Sequence, residues 1–317
     1  YRYKSLSFRN NLSIDNNKAK NSPYGDFADY SKMNPYWRIY DDNGSLIKQY
    51  NNSWAFNPLY DAGLNRKDES RYTTITENFY GEWQALSNLR VTARFGYKKQ
   101  DNNAQVFVPA SDTRYATISS SSSEYLDRGE YNETNGKTEQ VSLDLGVAYS
   151  LQKDKHTLYT NAVYNIEESR SETTTFSVVG FPSDKMDYPS FGNHYPDGSK
   201  PSGSESTTRS VGIVGAANYS FDNRYLADLS YRLNASSQFG SNHRWGSFWS
   251  FGLGWNIVNE AFMRSATFVD YLKLRASIGY TGSQGFNPYQ SISTYTYITD
   301  KSYNGDMGAV LKGLANS

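Results

Sequence analysis

Gln140–Leu151 reads QVSLDLGVAYSL: Val141, Leu143, Leu145, Val147, Tyr149 and Leu151 are apolar or aromatic, while Ser142, Asp144, Gly146, Ala148 and Ser150 between them are small or polar. In an extended chain successive side chains point to opposite faces, so this is a strand with one oily face and one polar face. The same two-residue beat returns in eight further segments. Tyr3–Asp15 carries it on Leu6, Phe8, Leu12 and Ile14, Tyr72–Gln84 on Ile75, Phe79 and Trp83, and Leu89–Lys98 on Leu89, Val91, Ala93, Phe95 and Tyr97. Beyond the opening stretch it continues through Leu158–Ile166, Val211–Phe221, Ala227–Leu233, Trp249–Ile257 and Tyr271–Thr281. Nine half-oily strands in one chain form far more alternation than a soluble domain of this size carries, and they fit the wall of a transmembrane barrel, whose strands alternate apolar-out and polar-in.

The connections alternate as well. Residues 16–70, 101–136 and 171–206 are long, polar and rich in Asn, Ser, Gly, Pro and Tyr, whereas 85–88, 152–155 and 222–224 are minimal. Long outer loops with short periplasmic turns are the habit of bacterial outer-membrane barrels. Asn259–Asp270, on the short-turn side, contains NEAFM and is expected to form a helical turn.

Composition leaves this reading open and closes others. The chain has 317 residues with 32 Lys+Arg against 32 Asp+Glu, so no net field recruits nucleic acid. No stretch approaches the roughly 18 apolar residues of a spanning helix. A mean hydropathy of −0.74 is compatible with spanning strands, in which only alternate residues meet lipid. The 28 Tyr, 16 Phe and 6 Trp suit positions that are apolar at one end and wet at the other, as in interfacial girdles or in a sugar-binding sandwich. There is no Cys, which excludes disulfides and thiolate metal sites.

Charges keep to the polar phase of these strands. Arg90, Arg94, Asp144, Glu167, Asp228, Arg232, Lys273 and Arg275 all alternate with the apolar residues, which places them toward a wet or plugged lumen. Catalysis has no candidate constellation, and neither a metal site nor a cofactor site is expected. The three histidines, His156, His194 and His243, lie in separate turns and loops without HxxxH spacing. Asp41-Asp42-Asn43-Gly44-Ser45 has the start of a calcium loop without its closing Glu and reads as a Gly turn. The candidate ligand or lid contacts are loop aromatics: Tyr188, Phe191, His194 and Tyr195 in FPSDKMDYPSFGNHYPDGSKP, and Trp37 and Trp54 in the first loop. Such rings could stack on sugars, or pack the loop upon itself.

Four blocks carry a family likeness: SPYGDFADYSKMNPYWRIYDDNGSLIKQY at Ser22–Tyr50, NPLYDAGLNRKDESRYTTITENFYGEW at Asn57–Trp83, YLADLSYRLNASSQFGSNHRWGSFWSFGLGWNIVNEAFM at Tyr225–Met263 and YLKLRASIGYTGSQGFNPYQSISTY at Tyr271–Tyr295. In that order they resemble the SusC/RagA-like TonB-linked outer-membrane transporters, and the likeness spans most of the chain. The resemblance implies an all-β chain, about nine antiparallel strands of a barrel of about 22. Residues 1–317 would then be a partial TonB-dependent receptor β-barrel domain, with plug, TonB-contacting segment, signal peptide and C-terminal strands elsewhere. It further implies a nutrient importer of a Gram-negative outer membrane, taking up oligosaccharides or, alternatively, oligopeptides. Its partners would be a SusD-like surface lipoprotein, the TonB–ExbB–ExbD complex and outer-membrane lipid. Readings of another class are an outer-membrane enzyme, which needs a His, an acid and a nucleophile converging, and a soluble sugar-binding β-sandwich, which buries its apolar phase between two sheets.

Overall fold

A computed structural model describes residues 1–50, 55–239, 244–265, 268–282, 289, 293–304 and 306–313. Its strands are β1 (Arg2–Tyr3), β2 (Leu6–Lys20), β3 (Lys67–Leu86), β4 (Leu89–Val108), β5 (Glu130–Lys153), β6 (His156–Val179), β7 (Ser202–Phe221), β8 (Tyr225–Ser236), β9 (Trp245–Asn256), β10 (Lys273–Tyr280), β11 (Thr294–Tyr303) and β12 (Asp306–Gly313). The first ten form one sheet in chain order, each antiparallel to the next, and β11 and β12 form a separate hairpin. Two short helices, α1 (Phe27–Ser31) and α2 (Pro58–Ala62), lie in the first loop. The NEAFM link is helical in the tighter 3₁₀ form, at Ile257–Asn259 and Ala261–Met263.

The registers test the phase of every strand at once. One cross-strand row runs Leu6, Trp83, Val91, Val147, Ala162, Gly215, Tyr231, Trp249, Tyr280, passing through all nine long strands without a charged residue. A slip of one residue anywhere would have thrown a whole strand onto the other face. On β4 the belt is five alternate residues tall, Leu89 to Tyr97, which is roughly 27 Å of strand at about 3.3 Å per residue, or about 19–22 Å along the membrane normal at a tilt of about 35–45°, close to an apolar band about 25 Å high. These side chains stay exposed, Val141 at 42%, Leu145 at 45% and Leu253 at 53%. A second apolar layer over them, which a sandwich would require, is absent among the described residues.

On β6 exposure alternates residue by residue from Ala162 outward: Ala162, Tyr164, Ile166 and Glu168 are exposed, whereas Val163, Asn165, Glu167 and Ser169 are half-buried. Side chains crowd together on the concave side of a curved sheet, so the polar face is the inner one.

Strands outrun the belt. β5 and β6 have 24 residues each, whereas crossing a membrane takes about 9 to 11. The loops expected at 101–136 and 171–206 therefore shrink to 109–129 and 180–201, and the first shrinks to 21–66. Hydrophobic alternation stops near Ile166, but the β5–β6 ladder continues in register from Val141↔Glu168 to Glu130↔Val179. Main-chain pairing, helped by the β-branched run Thr173–Thr175, carries the strands onward without an apolar face. At the other end turns are tight. Asp222 and Asn223 both take left-handed φ, 54° and 52°, which Asp and Asn tolerate better than most residues and which suits a hairpin.

Candidate functional site

Every charge assigned to the polar phase lies on the face opposite the apolar belt. Arg90 and Arg94 are even-numbered on β4, Asp144 on β5, Asp228 and Arg232 on β8, and Glu167, Lys273 and Arg275 are odd-numbered on β6 and β10, where the registers invert the phase. They pair laterally. Arg94 faces its register partner Asp144 at 3.9 Å, and Arg275 reaches Asp228 at 3.5 Å across the side-chain gap left by Gly252. Arg232 donates to Asn234 at 3.0 Å, and Glu167 accepts from Gln140 at 2.9 Å. The Arg94 guanidinium also sits over the Tyr80 ring, 5.9 Å from its centre. These exposed pairs stabilise the wall weakly, by about 0–1 kcal/mol each, and give the lower concave surface its charged character.

The loops build a small cap at the far end of β3–β6. Phe107, Tyr131 and Phe181 come from three different stretches of chain and are 0%, 1% and 4% exposed, with Val178 packed against them. By register Phe107, Tyr131 and Val178 share the phase of the apolar belt, so the loop 180–201 folds down over the convex side of the wall. Its Gly180 and Phe181 N–H groups donate to the carbonyls of Gly129 and Arg128 at 3.1 and 2.9 Å.

Carboxylates tie the three loops together. Asp61 accepts from the Thr113 N–H at 2.9 Å and its hydroxyl at 2.5 Å, Asp184 accepts from the Ser111 N–H at 3.2 Å and from its hydroxyl, and Lys67 donates to the Asp187 carbonyl at 2.8 Å. Lys48 donates to the Ser111 carbonyl; burial holds its ammonium pKa below the ordinary value, against the pull of Asp61 and Asp112. Asp112, 3% exposed, accepts from the Arg114 N–H at 3.0 Å and lies 3.4 Å from Arg66. Its carboxyl pKa is raised by burial, with the Arg114 hydrogen bond opposing. None of this network was visible in sequence, because the partners that join different loops lie 46 to 120 positions apart.

The candidate aromatics separate into two groups. Trp37 stacks on Tyr50, ring centres 4.5 Å apart, and lines a cavity of about 380 Å³ with Asp29, Lys32, Phe56 and Asn57. Tyr188, Phe191 and Tyr195 are exposed on the loop 180–201, at 62%, 47% and 47%. Trp54 lies outside the described residues. His194 is a clasp: its Nδ1 is 2.7 Å from the Tyr195 carbonyl and its Nε2 is 2.9 Å from Asp127, so both ring nitrogens face acceptors. The Tyr195 carbonyl and then the Asp127 carboxylate raise its pKa above 6.5. While protonated, the ring donates from both nitrogens and has no lone pair for a general base.

The Asp41–Ser45 segment is the expected turn: Gly44 has φ 79°, and Asp41 accepts from the N–H groups of Asn43 and Ser45. At the short-turn end Glu260 accepts from the Trp255 indole at 2.9 Å and from Arg224 at 3.2 Å. The Trp255 bond first, then Tyr225 and Arg224, hold its carboxyl below the usual range. Trp255 thus ties the NEAFM turn back to β9, and Arg224 ties it to the β7–β8 hairpin.

Comparison with known proteins agrees with this architecture. Residues 3–312 match the family model described as TonB dependent receptor-like, beta-barrel. TonB-dependent receptor P39 of Formosa agariphila is 27% identical over 275 residues, 85% of this chain and 25% of that protein. TonB-dependent receptor SusC of Bacteroides thetaiotaomicron is 43% identical over 74 residues, 23% of this chain and 7% of that protein. Among solved structures, the RagAB peptide transporter superposes with a TM-score of 0.79 at 23% identity, over 99% of this chain and 35% of that one. The chain thus spans about a quarter of the length of P39.

Proposed function

We propose, from the premise that this chain belongs to the TonB-dependent receptor β-barrel family, that it forms part of the wall of an energy-coupled importer in the outer membrane of a Gram-negative bacterium. The imported nutrient is an oligosaccharide. A SusD-like surface lipoprotein serves as lid and the TonB–ExbB–ExbD complex as energy source, each engaging parts of the importer outside this stretch. The chain is not an enzyme on this reading; among the described residues its nearest approach to a catalytic pair, His194 with Asp127, is a loop clasp.

The observation that carries the reading is the two-faced wall. The same strands hold a continuous uncharged belt on their convex side and paired ions and hydrogen-bonding groups on their concave side, as a large barrel requires when lipid lies outside and water inside. The uptake of oligosaccharide is supported by the family resemblance and by the exposed loop rings Tyr188, Phe191 and Tyr195, which offer stacking surfaces to sugar rings. RagAB, whose fold this wall shares, is a peptide transporter, which makes peptides the competing cargo to be tested. Deletion of the intact gene should abolish surface uptake of at least one oligosaccharide and spare peptides. Loss of peptide uptake alone would replace the cargo, and unchanged uptake of every ligand would refute the importer.

A further inference from the structure

The two faces of the strand extensions above the belt differ in charge. On the convex side one register row reads Thr73, Asp101, Lys137, Glu172, Glu205. One residue away on each strand, at the same height but on the concave side, the row reads Thr74, Gln100, Thr138, Ser171, Ser206. From β3 to β7 four of five are charged outside and none inside. Solubility alone would charge both faces alike, so the concave face is neutral for a reason of its own.

Hydrogen-bonding capacity on this face is left open. Gln100 donates one amide bond to Asn102 at 2.8 Å and keeps its carbonyl, while the Thr138, Ser171 and Ser206 hydroxyls bond no other protein group among the described residues. The next row outward, Tyr72, Asn102, Gly136, Thr173, Ser204, is equally uncharged. Toward the membrane the neighbouring rows contribute one charge of each sign, Lys98 and Glu167, and Asp15 closes the neutral row on β2.

We infer that the row Gln100–Thr138–Ser171–Ser206 is a binding track for uncharged oligosaccharide, an inference that rests on the importer reading and narrows its cargo to neutral glycans. A neutral glycan presents hydroxyls that both donate and accept, which matches a wall of hydroxyls and amides that do the same. A carboxylate or sulfate on the sugar would be drawn from water against a wall with a single cation, Lys98, within one row, and would meet Asp15 at its edge. Peptide termini and side-chain ions face the same lack of partners.

The test uses the full-length importer in its own outer membrane, with labelled panels of neutral oligosaccharides (glucan, xylan, mannan) and acidic ones (alginate, pectate, sulfated galactan) of matched length. Wild-type protein should take up members of the neutral panel in preference to the acidic one. The triple variant Gln100→Leu, Thr138→Val, Ser171→Ala should raise the half-saturating concentration of the transported glycan at least about tenfold, since three ligand hydrogen bonds are lost. Heat-modifiable migration of the variant shows that its barrel has assembled. Preferential uptake of acidic glycans, or an unchanged half-saturating concentration in the assembled variant, overturns the track while leaving a glycan importer standing. Uptake of neither panel overturns both.

Discussion

Replacing Phe107 by Ala should release the loop cap and leave the wall intact. The Phe107 ring is fully buried, meets Phe181 edge-on with centres 5.0 Å apart and Tyr131 at 6.4 Å, and closes a core of only a few side chains. Truncating a buried Phe costs about 3–5 kcal/mol, and so small a core has few neighbours able to collapse into the gap. The backbone bonds from Gly180 to Gly129 and Phe181 to Arg128 survive the change, but they are few beside the uninterrupted ladder between β5 and β6. The cost therefore falls on local opening of the cap, whose equilibrium constant rises by roughly 10² to nearly 10⁴. Amide hydrogen exchange on the full-length protein reads this directly. Exchange at Gly180 and Phe181 should accelerate about a hundredfold or more, while Leu145 and Tyr164, in mid-wall, keep their rates. Unchanged exchange at Gly180 and Phe181, or equal acceleration in mid-wall, would refute the view that the loops are a separate unit docked on the strands.

Two further outcomes follow from the wall and the clasp. Leu145→Arg places a charge in the middle of the apolar belt and should cost about 2–4 kcal/mol in urea unfolding from vesicles, whereas Ser142→Arg, on the concave face, should cost little. The His194 clasp should loosen with alkalinity. Its pKa is raised in the fold, so its contribution is complete below 6.5 and is lost as pH climbs through the raised value, when one ring nitrogen ceases to donate. Protease cleavage of the loop 180–201 should accelerate over that range, and His194→Gln should abolish the pH dependence.

The belt was legible because a period of two with one face against lipid ties register, turn position and side-chain identity together, so that Val91, Val147 and Ala162 could be aligned before any geometry was known. The strand extensions were not, since Asn102, Thr134 and Thr173 carry no apolar beat and read like loop; pairing of the backbone decides them. β11 and β12 were not assigned either: Thr294–Tyr297 alternates, but over too few residues to stand out, and Asp306–Gly313 carries no such beat. The cap depends on Phe107, Tyr131 and Phe181 meeting across long stretches of chain, and no local pattern records such a meeting. The role of Trp255 was half-visible: its place in a strand could be read, but its partner Glu260 required the turn of the 3₁₀ segment to bring it back. Charges on the concave face were legible individually, whereas the pairs Arg94–Asp144 and Arg275–Asp228 needed the register.

The central claim is that one face of these strands meets lipid and the other meets water. Spin labels placed singly from Gln140 to Leu151 in the full-length protein, reconstituted in bilayers, can be tested for collision with oxygen and with a water-soluble nickel complex. Oxygen accessibility should peak at Val141, Leu143, Leu145, Val147 and Tyr149, and nickel accessibility at Ser142, Asp144, Gly146 and Ala148, the two profiles alternating out of phase with a period of two. Profiles that rise and fall together, or odd-numbered positions that shun both probes as buried core residues do, would contradict it.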